Sequence, residues 1–270
     1  MIHPTAVIHP KAKLDSTVRV GPFAVVDENV ELGANCVVGP HVYLTGIAKI
    51  GANNAFHAGC VIGDAPQDLK YRNEPTGLRI GDNNVFREHV TIHRSTRIDG
   101  ETIIGSRNFL MQHSHVAHNC LIGDDTIIAS GALLGGHAVV QDRAFISGNC
   151  LVHQFCRVGT LSMMQGGSAI STDLPPYCTL SRTAQNLICG LNVVGLRRAG
   201  VSAQDRLELK KLYRLLFRSG KNLREAVAEA QKLFSNQSAK ILLEFVAGAK
   251  RGVCADVRGA AKNEEEKPAD

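Results

Sequence analysis

From Ile2 to Ile170 every sixth residue of the chain is apolar, except Asp68 and Glu74, across twenty-nine positions. The series runs through Ile8, Leu14, Val20, Val26 and Leu32 and ends with Val158, Met164 and Ile170. Helices repeat at about 3.6 residues and strands at about two, so neither explains a period of six. A chain that turns a corner every hexad does. Three hexads then close one triangular coil of about 18 residues, and stacked coils make a parallel β-helix.

In such a coil the sixth residue points inward. The position four further on also faces inward but lies near a corner, so it must be small; it reads Ala24, Cys36, Ala48, Cys120, Ala132, Ala144, Cys150 and Cys156. Glycine often follows the apolar residue (Gly21, Gly33, Gly51, Gly105, Gly135), where a tight corner favours a residue without Cβ. Coils stack at about 4.8 Å, so residues about 18 apart lie one above the other.

Two stretches leave the pattern. Asp64 to Gly77, carrying Pro66-Gln-Asp-Leu-Lys-Tyr71, cannot fill a core and reads as one coil's worth of chain extruded as a loop. Arg94 to Ile103, with an Asp99-Gly100 turn, is a second, weaker excursion. Long loops on a rigid repeat scaffold are usually functional.

The repeat ends near Asp173-Leu-Pro-Pro-Tyr177, and a linker is expected to about Gly200. Ser202-Ala-Gln-Asp205 reads as a capping box, followed by Leu209, Leu212, Tyr213 and Leu216 at helical spacing. A second helix is expected from Asn222 to about Phe234, and a third over about 238–250. The expected organisation is a β-helix domain over 1–190, a basic helical domain over 191–253, and a disordered tail over 254–270.

Of the eight cysteines, five occupy the small inward position and no CxxC occurs, so they read as small hydrophobes in a reducing cytoplasm. No apolar run approaches a membrane span, and no signal peptide is seen. Residues 197–258 hold 14 Lys/Arg and 6 Asp/Glu, a local excess of eight in a chain of net charge +5. That excess implies an acidic partner. Nucleic acid is disfavoured because aromatics are not interleaved with the basic residues.

Polar groups gather late in the repeat, in Gln112-His113-Ser114-His115-Val116-Ala117-His118-Asn119, Gly135-Gly136-His137 and His153-Gln154-Phe155. By the coil spacing, His118 lies over Gly136, and His153 falls near the column of Gly135. Two chemistries compete. His113-x4-His118 is a possible pair of zinc ligands, as in γ-class carbonic anhydrases, but no third histidine occurs at residues 77–82. Alternatively, a neutral imidazole acts as general base on an alcohol, and a backbone N–H, with Gly136 suitably placed, stabilises the oxyanion of acyl transfer.

The hexads from residue 2, the Pro66–Tyr71 loop, Val90-Thr-Ile-His-Arg94, His115-Val-Ala-His118, Gly136-His137, His153-Gln-Phe-Cys156, Asp173–Tyr177, Gly190-Leu-Asn-Val-Val-Gly-Leu-Arg-Arg198 and Tyr213–Lys221 together resemble the UDP-N-acetylglucosamine O-acyltransferases of lipid A synthesis. The resemblance implies a left-handed parallel β-helix, mainly β, with a small α-helical C-terminal domain, assembled as a homotrimer with sites between subunits. It implies transfer of a 3-hydroxyacyl group from acyl carrier protein to the 3-hydroxyl of UDP-N-acetylglucosamine, with no metal and no cofactor beyond the donor's phosphopantetheine thioester. By motif position His118 is the general base and Gly136 the oxyanion donor. Asp68, Lys70, His115, His137, His153, Gln154, Asn192 and Arg198 contact sugar nucleotide or acyl group, and Gly166 gauges acyl length.

Three positions depart from the family pattern: Asn119 where Asp is common, Val194 where Glu is usual, and Ala199 where a basic residue follows. An amide is expected to make a weaker base-orienting contact than a carboxylate. A 3-amino sugar acceptor therefore stands as the alternative. The N-acyltransferase that acts later in the pathway is disfavoured, because the hexads begin at Ile2 with no sugar-binding domain before them. A bare scaffold role fits poorly with the loop and stacked histidines.

Overall fold

The computed structural model describes residues 1–183 and 185–258. The expected tail over 259–270 lies outside them. The hexads form a three-faced prism of parallel strands. Face one runs from Val7–Ile8 to Ala169–Ile170, face two from Lys13–Leu14 to Arg157–Val158, and face three from Arg19–Val20 to Met163–Met164. The chain visits them in that order, so three edges separate them: first (one to two), second (two to three) and third (three to one).

The core is the sixth-residue column. Leu44, Ile62, Ile92, Leu110, Ile128, Leu134 and Ile146 are fully buried, each burial stabilising by roughly 1.5–3 kcal/mol. The small inward position is filled as expected, with Cys36, Cys60, Cys120, Ala132, Cys150 and Cys156 buried and every described cysteine free. One inward corner is polar instead. Asn54, Asn84 and Asn108 stack along the second edge: Asn84 donates to Asn54 Oδ1 (3.0 Å) and to the Gly105 carbonyl, and Asn84 Oδ1 accepts from Asn108 N–H (2.9 Å). Thr126 Oγ1 closes the ladder on Asn108 Oδ1. Amides can enter the core here because each donor and acceptor meets the next coil.

The insertions differ in length from expectation. Ile50 pairs with Ile80 and Ile62 with Ile92, so the first insertion, residues 65–76, adds two hexads to a coil rather than a whole one. The second, residues 95–100, adds one, since Ile80 pairs with Ile104 and Ile92 with Val116. Asp68, Glu74 and the exposed Ile98 are the three sixth residues these insertions remove from the core. Beyond them the 18-residue spacing holds, as in Val116–Leu134–Val152. Both insertions leave face one and rejoin face two, and so emerge at the first edge.

The glycines after the apolar residue serve a different purpose from the one expected. The left-handed corner residue lies two positions later, as at Asn119 (φ 61°), His137 (φ 60°) and Phe155 (φ 66°). Gly105 is required by proximity: a Cβ there would meet the Gly123 carbonyl oxygen at 2.5 Å.

The segment expected as a linker is ordered. Cys178–Leu180 continues face three, Leu187–Leu191 returns antiparallel to it, and α1 (Val193–Arg198) follows. Next come α2 (Ala203–Arg218), α3 (Leu223–Leu233) and α4 (Gln237–Ala247). The capping box is present, Ser202 accepting from Asp205 N–H. The chain beyond residue 253 does not begin as a disordered tail: Ala255–Asp256 pairs with Leu187–Ile188, and buried Asp256 accepts from Tyr213 and from Arg218. Arg157 docks the helices on the prism, bonded to Asp173 and the Phe245 carbonyl, with its guanidinium 4.1 Å from the Phe245 ring. No helix among the described residues is long and apolar enough to cross a membrane.

Candidate active site

Each hexad corner projects its second residue outward, and along the first edge that column reads His118, Gly136, Gln154 in successive coils. Gly136 has no side chain, and the His118 imidazole occupies the space. A Cβ built on Gly136 would fall 2.6 Å from His118 Cε1 and 2.7 Å from Nε2. Gly136 N–H has no protein partner among the described residues, while its carbonyl accepts from Phe155 N–H (3.0 Å).

His118 Nδ1 lies 2.7 Å from Asn119 Oδ1. That oxygen also accepts from Thr96 N–H (3.2 Å) and Thr96 Oγ1 (2.9 Å), while Asn119 Nδ2 donates to Ser95 Oγ (2.6 Å). An amide oxygen only accepts, so Nδ1 carries the hydrogen and Nε2 keeps its lone pair. The orienting contact at Asn119, expected to be weaker than a carboxylate's, is made at hydrogen-bond distance. Ser95 and Thr96 belong to the second insertion. Sequence reasoning missed them as site residues, although the excursion that carries them was visible.

Other imidazoles surround His118 in neutral form. His115 Nδ1 is 2.7 Å from Thr91 Oγ1, and burial, with His93 and His118 nearby, pushes its pKa down to about 4. His93 meets it edge-on at 4.9 Å; burial lowers its pKa too, and its Nδ1 is unpartnered. His137 meets His118 edge-on at 5.4 Å and stacks on half-exposed Phe155 at 4.6 Å. Desolvation, then His118, lower its pKa, against a smaller raising effect of Asp68. The first insertion therefore reaches the same edge. Asp68 Oδ1 accepts from Lys70 N–H (2.9 Å), and the Lys70 side chain is exposed. Arg94 ties the insertions together, bonded to the Gly63 carbonyl and to Tyr71 Oη. His153 and Gln154 are exposed on the next coil, His153 Nδ1 lying 3.1 Å from the Gln154 carbonyl.

Three expected site residues do not join this group within one chain. Gly166 lies on the third edge, where a Cβ would meet only the Gly148 carbonyl, at 3.6 Å. Asn192 caps α1, accepting from Gly195 N–H and donating to the Leu161 carbonyl on the second edge (both 2.9 Å). Exposed Arg198 ends that same helix. His113 is also on the third edge, stacked on His89 at 5.2 Å, so His113 and His118 sit at opposite ends of one face rather than forming a ligand pair. Among the described residues no cluster of three or more His, Cys, Asp or Glu is arranged to hold a metal ion. A broad depression on face two, between Lys13, Glu31, Lys49 and Arg79, contains none of the histidines.

Residues 173–254 match the family described as UDP-N-acetylglucosamine O-acyltransferase, domain 2, and residues 11–46 and 101–136 match bacterial transferase hexapeptide repeats. An acyl-[acyl-carrier-protein]–UDP-N-acetylglucosamine O-acyltransferase of Syntrophobacter fumaroxidans is 46% identical over 254 residues, 93% of this chain and 98% of that one. Its counterpart in Alkalilimnicola ehrlichii is 47% identical over 255 residues, again 93% and 98%. Among solved structures, the UDP-N-acetylglucosamine acyltransferase of Francisella novicida superposes with a TM-score of 0.93 at 33% identity, covering 97% of this chain and 96% of that one. The Bacteroides fragilis structure gives 0.90 at 39%, covering 94% and 99%.

Proposed function

The chain belongs to the UDP-N-acetylglucosamine O-acyltransferase family, and from that membership and the first-edge geometry we propose that it acylates the 3-hydroxyl of UDP-N-acetylglucosamine from a 3-hydroxyacyl carrier protein, the first step of lipid A synthesis. The observation that carries the reading is His118, with Nδ1–H committed to Asn119 and Nε2 free beside Gly136. Nε2 takes the proton of the sugar hydroxyl as its oxygen attacks the thioester carbonyl. The tetrahedral oxyanion accepts from Gly136 N–H, and its collapse expels the thiolate, which recovers the proton from Nε2. Neutral His115 and His137 offer polar contacts without adding charge against the imidazolium that forms at His118.

The proposed assembly is a homotrimer. Faces one and three carry apolar residues outward, Val25, Val61, Leu133 and Leu151 on one and Val37, Phe109, Ile127 and Phe145 on the other, and they meet at the third edge. Leu133 and Leu151 are 44% and 48% exposed in the isolated chain. Face two instead carries ion pairs such as Lys13–Glu31. Three prisms set face one against the neighbour's face three would bury both and bring the first edge of one copy to the second edge of the next. That arrangement would add the neighbour's Asn192 and Arg198 to His118, Asp68 and Lys70, and Arg198 has the planar fork that suits a diphosphate. The basic residues of α2–α4 would receive the acidic carrier protein, and the space at Gly166 favours a long acyl chain.

The test is transfer from 3-hydroxyacyl carrier proteins of graded length to labelled UDP-N-acetylglucosamine or its 3-amino analogue, beside His118→Ala. Turnover on the sugar that disappears in the variant supports the proposal. Turnover on the amino analogue alone reassigns the acceptor, and none on either overturns the reading.

A further inference from the structure

We propose that Ser95 is a positioning residue for this reaction: by accepting from the Asn119 amide it keeps the amide oxygen toward His118, and so keeps the proton on Nδ1 and the lone pair on Nε2. The inference rests on the reading of His118 as general base. A carboxylate beside that imidazole would present an acceptor whichever way it turned. An amide has a wrong way round, in which its NH2 faces Nδ1 and drives the proton to Nε2. A histidine in that tautomer cannot accept the substrate's proton.

The contacts that prevent it come from the second insertion. Thr96 N–H and Oγ1 hold the oxygen at 3.2 and 2.9 Å, and Ser95 Oγ takes the NH2 at 2.6 Å. Ser95 is fully buried, and its hydroxyl is itself held. Its oxygen accepts from Arg97 N–H (3.0 Å), its backbone N–H donates to the Gly77 carbonyl (3.0 Å), and Gly100 closes behind it, where a Cβ would come within 2.9 Å of Oγ. Oγ keeps one lone pair for the Asn119 NH2. Its hydroxyl hydrogen could meet a turned amide's oxygen, but that turn would also set the NH2 against Thr96 N–H, so the serine and the backbone donor act together. A third contact, Thr102 Oγ1 accepting from Asn119 N–H at 2.8 Å, fixes the backbone from which the amide projects.

The experiment compares wild type, Ser95→Ala, Asn119→Asp and the double variant as the assembled protein. The His118 tautomer is read from ring ¹H–¹⁵N correlations, assigned by loss of the signal in His118→Ala. Ser95→Ala is expected to mix the Nε2–H form into a wild type that is Nδ1–H, and to lower kcat roughly tenfold with KM nearly unchanged, part of the roughly 10²–10⁴ that a positioned base supplies. In the Asn119→Asp background the same change should cost little, because either carboxylate oxygen accepts. A wild-type tautomer and kcat in Ser95→Ala would overturn the proposal, as would an equal loss in both backgrounds, the mark of a merely structural serine. If Ser95→Ala fails to fold, Ser95→Cys keeps the shape while leaving only a weak acceptor, and is read identically. Full turnover in His118→Ala would overturn the general-base reading instead, while the tautomer spectra still decide what Ser95 does.

Discussion

The ring of His118 packs directly against the backbone of Gly136 one coil away, so close that no side chain fits between them. The proposed base and oxyanion donor are thereby set by the coil spacing rather than by a loop. Gly136→Ala should fold, since its backbone is not in the left-handed region and the atoms nearest an added Cβ all belong to the His118 ring, but the methyl must displace that imidazole. Expected is a loss of kcat of about 10²-fold or more with little change in unfolding midpoint. Retained activity would remove the argument for this pair.

Asn119→Asp replaces a neutral acceptor by a charged one at the same 2.7 Å. Either oxygen of a carboxylate accepts from Nδ1–H, so the variant should keep kcat within about tenfold of wild type. A loss as large as that of His118→Ala would mean that Nδ1 needs a neutral partner.

Burial holds the His115 pKa near 4, below the ordinary value of 6.5. Between those values the unfolded chain binds a proton that the folded chain refuses, so stability is full above about pH 6.5 and falls as pH drops toward 4. His93 and His137, also lowered, steepen the fall. His115→Gln should flatten the acid side of the unfolding free energy against pH, from urea unfolding, by up to about 3 kcal/mol. An unchanged slope would place the acid sensitivity elsewhere.

Asn84 serves two coils at once, and Asn84→Ala strands the Asn108 N–H and the Gly105 carbonyl inside the prism. Urea unfolding should show a loss on the order of 3 kcal/mol. A neutral result would mean that water replaces the amide in the ladder.

The period of six, the inward columns and the capped helices α2–α4 were legible in the sequence because each is local: every coil repeats the same geometry, and a cap is a matter of a few adjacent residues. His118 above Gly136 was legible too, since no insertion falls between them. Membership of an edge was not, once chain had been extruded. Insertions of one, two or three hexads all preserve the period, yet each sends the following residues to a different face, so the sequence alone left open whether residues 65–76 or a full coil left the prism. Gly166 was legible as well, two coils and two faces beyond His118, whereas Asn192 and Arg198, past the end of the repeat, carry no mark of lying on another edge. The orientation of the Asn119 amide is the clearest case of what tertiary structure alone decided. Asparagine has two nearly equal ends, and only the donors and acceptor brought by residues 95–96 distinguish them.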